Sequence, residues 1–178
     1  MYSLKLVFLL TILSSVFIIF FAHPITKIIY ERGKFSSFDT SATASALIFY
    51  IIGVPFASGL RNVASAFYAL KDSKTPMYVS LGMIIINVFL NYVLMRLMSF
   101  RGIALATSIS ALLNFIVLFS VLPKKVGRFD IKGLIKYILM ITIGSVLSCF
   151  LGMILFNYFN KRFFPNPLIQ IIILIALG

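Results

Sequence analysis

The sequence predicts an all-α protein, a polytopic bundle of about six transmembrane helices with no soluble domain. Three observations predict it. Apolar runs of about 20 residues recur along the 178-residue chain, and at ~1.5 Å of rise per residue each matches the hydrocarbon core of a bilayer. The runs do not alternate between apolar and polar residues, as Leu168 to Leu177 shows, so they are not barrel strands. Finally, 61% of residues are hydrophobic, only 11% are charged and mean hydropathy is +1.10. A water-soluble surface takes about a quarter of its residues as charges. Backbone amides in lipid must be paired internally, which leaves helices.

The first segment runs from about Leu4 to Tyr30. It lacks the basic flank of a signal peptide and many further spans follow it, so it reads as a true helix. Glu31-Arg32-Gly33-Lys34 ends it, with a glycine suited to the left-handed conformation. Ser36, Ser37 and Asp39 are candidate N-caps of the second segment, about Thr40 to Leu70, which contains Gly53 and Pro55. Asp72-Ser73-Lys74-Thr75-Pro76 stops that helix and starts the third, about Pro76 to Met98, with proline near its first turn. Ser99-Phe100-Arg101-Gly102 is a tight link into a fourth helix, about Gly102 to Leu122, so the two form an antiparallel hairpin. Pro123 to Lys132 is the longest basic connector. A fifth segment covers about Ile131 to Tyr158. The sixth starts near Pro165 and is still apolar at Gly178. Its ~14 residues make roughly 20 Å of helix, short of a ~30 Å core, so the chain is expected to end inside a span and to be a fragment.

Sixteen Lys and Arg face four Asp and Glu, for a net charge of +12. A nucleic-acid binder gathers such an excess on a soluble surface. Here the cations sit between apolar runs, as in loops at an anionic membrane surface, and nucleic acid is excluded as a partner. Counted by alternate side, nine fall on one side (Lys5, Arg61, Lys71, Lys74, Lys124, Lys125, Arg128, Lys132, Lys136) and seven on the other (Lys27, Arg32, Lys34, Arg96, Arg101, Lys161, Arg162). That bias puts the N-terminus in the cytoplasm.

Polar residues inside the spans are the candidate functional positions. The four carboxylates (Glu31, Asp39, Asp72, Asp130) all fall in connectors, which leaves no carboxylate proton relay. No carboxylate pair or His/Cys cluster is placed for hydrolysis or metal chemistry, so neither an enzyme nor a cofactor is expected. His23 reads as interfacial, and the single cysteine, Cys149, makes no internal disulfide. Arg61 lies about two turns before the end of the second helix. It either snorkels to the headgroups or lines a polar cavity and meets an anion. Gly53-Val54-Pro55 upstream bends the helix, as a plain kink or as the border of a cavity. Asn87 and Asn91 share one face of the third helix, Ser110 and Asn114 one face of the fourth. A turn at residues 100–101 sets Asn87 level with Asn114 and Asn91 level with Ser110, as interhelical glue or as substrate contacts. Small residues at spacing four (Gly102, Ala106, Ser110; and Gly144, Ser148, Cys149, Gly152) mark faces where helices approach closely.

The run Ala66-Phe67-Tyr68-Ala69-Leu70-Lys71-Asp72-Ser73-Lys74-Thr75-Pro76 resembles a signature of the MurJ/MviN lipid II flippases, within the multidrug/oligosaccharidyl-lipid/polysaccharide exporter superfamily. Tyr30-Glu31-Arg32-Gly33-Lys34-Phe35, Asn87 to Asn91, and Gly102-Ile103-Ala104-Leu105-Ala106-Thr107-Ser108 fit in order. The resemblance covers about residues 1–125; beyond that it rests on hydropathy. Leu13 departs from it, because many members have proline there. The resemblance implies fourteen family helices, of which these six are the ninth to fourteenth. It implies translocation of undecaprenyl-pyrophosphate-linked peptidoglycan precursor (lipid II) across the bacterial cytoplasmic (inner) membrane, by two lobes alternating access around a cationic cavity. It places a lipid-tail groove on the fifth and sixth helices and a basic residue near Arg61. Most of the family's essential cations lie in an N-terminal half absent here, so that half is an expected partner, beside membrane lipids, and the chain alone is not expected to transport. Other readings are a related exporter of polysaccharide-linked lipids or of drugs and cations, and a non-transporting remnant.

Overall fold

The computed structural model describes residues 2–127 and 131–163, with side chains described for 2–127 and 132–154. The expected sixth segment from Pro165, with Arg128 and Asp130, lies outside the described residues. The elements are α1 (Tyr2–Tyr30), α2 (Ser37–Ala69), α3 (Lys74–Met98), α4 (Phe100–Val121), the one-turn α5 (Pro123–Val126) and α6 (Ile131–Phe163). Five of these helical stretches are long and apolar enough to cross a membrane. In space the long helices follow one another as α6, α1, α2, α4, α3.

The core lies where α1, α2 and α4 meet, with Leu134 of α6 at its edge. Leu4, Phe8, Ile12 and Val16 form a stripe at spacing four along α1 and meet Val63 and Phe67 of α2 and Phe115 and Leu118 of α4. Phe8 packs edge-on against Phe115, 5.5 Å between ring centroids, and Phe115 stacks on Phe119 at 5.4 Å. Gly59 of α2 makes room for this aromatic cluster. A Cβ there would lie 2.9 Å from Phe8 Cζ and 3.0 Å from Phe115 Cε2.

Local chemistry sets the ends. Ser36, not Ser37 or Asp39, caps α2; the amide of Asp39 donates to its hydroxyl (3.3 Å) while the amide of Ser36 donates to the Asp39 carboxylate (2.9 Å). This reciprocal box satisfies orphan first-turn donors. Gly33 takes φ +63°. The α3–α4 turn is tighter than the four-residue link expected. Ser99 alone reverses the chain (φ 54°, ψ −137°), and α4 starts at Phe100, so Arg101 and Gly102 are already helical. Gly102 permits this, because a Cβ there would overlap the backbone carbonyl of Leu94.

The two small-residue ladders part company. Gly102, Ala106 and Ser110 are buried, but Gly144, Ser148 and Gly152 are exposed and no described helix approaches that face. The side of α6 that packs on the bundle carries Leu134, Ile138, Ile141 and Cys149 instead. A small residue permits close approach; it does not supply the neighbour.

Candidate functional site

Arg61 stands on the exposed face of α2. Among the described residues its guanidinium has no hydrogen-bond or ion-pair partner. Tyr50, Ser65 and Tyr68 are exposed with it, and spacings of 11, 4 and 7 residues set all four on one helical face. A polar stripe therefore runs down α2, directed away from the aromatic core. The cation sits eight residues, ~12 Å, before the helix end.

Above it, α2 runs as one helix through Gly53 and Pro55. Pro55 has no N–H for the carbonyl of Ile51, and its ring crowds that turn. Gly53 lies directly against α4, where a Cβ would come within 2.6 Å of Ser108 Oγ and 2.7 Å of Ser108 Cα. From that position the Ser108 hydroxyl reaches the carbonyls of Phe49 (2.6 Å) and Tyr50 (3.1 Å). Ser108 has no role legible in its own helix. The signal lies in the pairing of a small hydroxyl residue with a glycine of the neighbouring helix, which lets the hydroxyl reach backbone carbonyls.

The asparagines come together, but one turn away from the expected register. Asn87 Nδ2 donates to Ser110 Oγ (3.0 Å) and Asn91 Nδ2 donates to Asn87 Oδ1 (2.8 Å). Asn87 therefore lies level with Ser110, not Asn114, and Asn91 does not pair with Ser110. Compressing the link to Ser99 moved the centre of the hairpin toward α3 and shifted every cross-pair by about one turn. Asn114 makes no bond to α3; its Oδ1 and Asn91 Oδ1 are buried without a partner among the described residues.

The connector residues form two closures. At one end the Thr40 hydroxyl donates to Glu31 Oε2 (2.9 Å) and Arg32 Nη2 donates to the Ile28 carbonyl (3.5 Å), fastening the α1–α2 loop. At the other, Lys71 adopts φ +57° and Asp72 accepts from the Thr75 amide (3.1 Å), the Thr75 hydroxyl (2.7 Å) and the Lys125 ammonium. Lys125, then Thr75, hold the Asp72 carboxyl well below the usual carboxylate range. Lys74 begins α3, and Pro76, third in that helix, is buried. The same end gathers the N-terminus, where Asn62 Nδ2 donates to Ser3 Oγ (2.6 Å) and Lys5 lies 5.3 Å over the Tyr137 ring.

Against known proteins, the family described as lipid II flippase MurJ matches residues 2–174. The chain belongs to the MurJ family. Among its relatives, the probable lipid II flippase MurJ of Rickettsia prowazekii is 39% identical over 123 residues, covering 69% of this chain and 24% of that protein. The lipid II flippase MurJ of Thermosipho africanus is 33% identical over 149 residues, 83% of this chain and 30% of the relative. A solved lipid II flippase MurJ in an inward closed conformation superposes with a TM-score of 0.74 at 32% identity, over 97% of this chain and 35% of that one. The chain thus spans about a quarter to a third of the length of the MurJ proteins it matches. Membership of MurJ together with five spanning helices makes it a multi-pass membrane protein.

Proposed function

We propose that this chain forms part of a lipid II flippase of the bacterial cytoplasmic membrane, carrying undecaprenyl-pyrophosphate-linked peptidoglycan precursor from the inner to the outer leaflet by alternating access. Its helices correspond to the C-terminal part of such a transporter. A second helical lobe, the N-terminal half of the relatives, completes the cavity. Arg61 carries the reading. A cation at the centre of a span costs about 2.5–3.5 kcal/mol on insertion scales, and less toward its ends, unless water or a partner meets it. Here it stands on a polar stripe turned away from the chain's own core, six residues beyond Pro55 on the same helix. A guanidinium so placed offers a planar fork to a diphosphate. The asparagine ladder serves differently: Asn91 braces Asn87 within α3 and Asn87 bonds Ser110 of α4, so it holds the hairpin while Arg61 meets the cargo.

Complementation of cells depleted of their own lipid II flippase tests this. Joined to the N-terminal half of a relative, the chain should restore growth; alone it should not. Arg61→Ala should abolish rescue and Arg61→Lys should retain part of it, with membrane levels of the protein unchanged. Rescue by the 178-residue chain alone, or full rescue by Arg61→Ala, would refute the proposal.

A further inference from the structure

Lys125 occupies a socket built by a segment 50 residues earlier in the chain. The amide of Asp72 donates to the Phe67 carbonyl (3.0 Å), and that of Lys71 to the Tyr68 carbonyl (2.9 Å), which folds the loop back over the end of α2. The carboxylate of Asp72 is fixed there by Thr75. The Lys125 ammonium enters this frame, pairing with Asp72, lying 3.4 Å from Thr75 Oγ1 and 5.9 Å over the Phe67 centroid. Phe67 is fully buried, so the floor of the socket belongs to the core.

Lys125 also sits at a mechanical boundary. The amides of Lys125 and Val126 donate to the Leu122 carbonyl and that of Gly127 to Pro123, so α5 is a stiff continuation of α4. Gly127 follows, with φ +92° and ψ −156° and open space around it, a backbone conformation that glycine adopts freely. Beyond it, α6 packs chiefly on α1, and among its described side chains only Leu134 and Ser145 are buried. The Lys125 side chain is 40% exposed, and an ion pair this open is weak enough to break and re-form thermally.

We propose that the Phe67–Asp72–Thr75 socket and Lys125 form an ionic latch, a conformational device that sets the position of α6. Latched, α5 is fastened to the end of α2 and α6 starts from a fixed point. Released, the chain turns at Gly127 and α6 shifts along α1. The device is independent of which cargo the protein carries, so its test reads helix position alone.

The test is a spin-label distance measurement on the complete polypeptide in lipid nanodiscs, with labels at Ile29→Cys on α1 and Leu147→Cys on α6 in a Cys149→Ser background. The unmodified latch should give one narrow distribution. Lys125→Met and Asp72→Asn should each add a second distance population on the order of 10% or more, and the double variant should add no more than either alone. Lys125→Arg, which keeps the cation, and Lys124→Met, which removes a neighbouring charge that has no bond to the socket, should both keep the single population. The latch is overturned if Lys125→Met leaves the distribution narrow, if the two single effects sum, or if Lys124→Met or Lys125→Arg broadens it equally.

Discussion

Helices α3 and α4 are neighbours in sequence, partners in a hairpin and similar in hydropathy, yet their surroundings differ completely. In α4, 39% of the most apolar 18-residue stretch is buried; in α3, none is. Leu81, Ile84, Ile85, Val88 and Phe89 of α3 are all exposed, while Gly102, Ala106, Ser108 and Ser110 of α4 are buried. In water the larger apolar side chains would be inside. In a bilayer the solvent is as apolar as leucine, so the interior is chosen by close approach and by polar pairing. Small and polar residues mark the buried face of α4 near the hairpin turn, and Phe115, Leu118 and Phe119 take over toward its other end.

Glycine substitutions should break this contrast most strongly. Gly102→Ala drives a methyl into the Leu94 carbonyl and should cost about 3 kcal/mol, the upper end of overpacking penalties. Gly82→Ala on α3, with nothing within 4 Å, should instead stabilise by up to ~1 kcal/mol through helix propensity. Thermal unfolding in one detergent would compare the two; equal effects would dissolve the distinction.

Removing the polar pairing is expected to matter less. Asn87→Ala strands Ser110 Oγ and Asn91 Nδ2 and should cost about 1 kcal/mol, the scale of interhelical bonds in membranes. Asn114→Ala removes a side chain that makes no bond to α3 and whose buried Oδ1 has no partner among the described residues, so it should cost less than Asn87→Ala in the same unfolding series. The hairpin turn should give a still smaller change of opposite sign. Ser99 holds a positive φ without being glycine, so Ser99→Gly should stabilise by ~0.5 kcal/mol, seen as a raised Tm.

The smallest effect belongs to the Asp72 loop. Lys125 and Thr75 depress the folded-state pKa of Asp72. Its contribution to stability is thus fully present above the unfolded carboxylate value of about 4 and is lost as pH falls through the lower folded value. A Tm profile taken downward from pH 5 should decline, and Asp72→Asn should flatten that decline and slightly lower the Tm near pH 7, where the charged carboxylate contributes fully.

Much of the site was legible as residue types, far less as geometry. Arg61 could be singled out because a cation in an apolar run is costly wherever it points. The asparagines could be singled out because their spacing of four puts them on one helix face. Their register could not, since it depends on how many residues the hairpin turn consumes, and Ser99 consumes fewer than the polar link Ser99–Gly102 suggests. Ser108 was legible only as part of a motif, because its role depends on the Phe49 and Tyr50 carbonyls of another helix, brought within reach by Gly53. The equal-looking ladders of α4 and α6 had different outcomes for the same reason: spacing describes one helix, and burial requires two.

Composition and the length of the apolar runs determined that this protein is helical and membrane-spanning, since an unpaired amide in lipid is costly whatever the fold. The motif from Ala66 to Pro76 carried the family. Which face of each helix is inside, which asparagine meets which hydroxyl, and that Lys125 finds Asp72 across 53 positions were decided only in three dimensions. In a bilayer hydrophobicity acts almost equally on every face of a span, so the order of helices is left to steric fit and to a few directional bonds, and these exist only once the partners are in place.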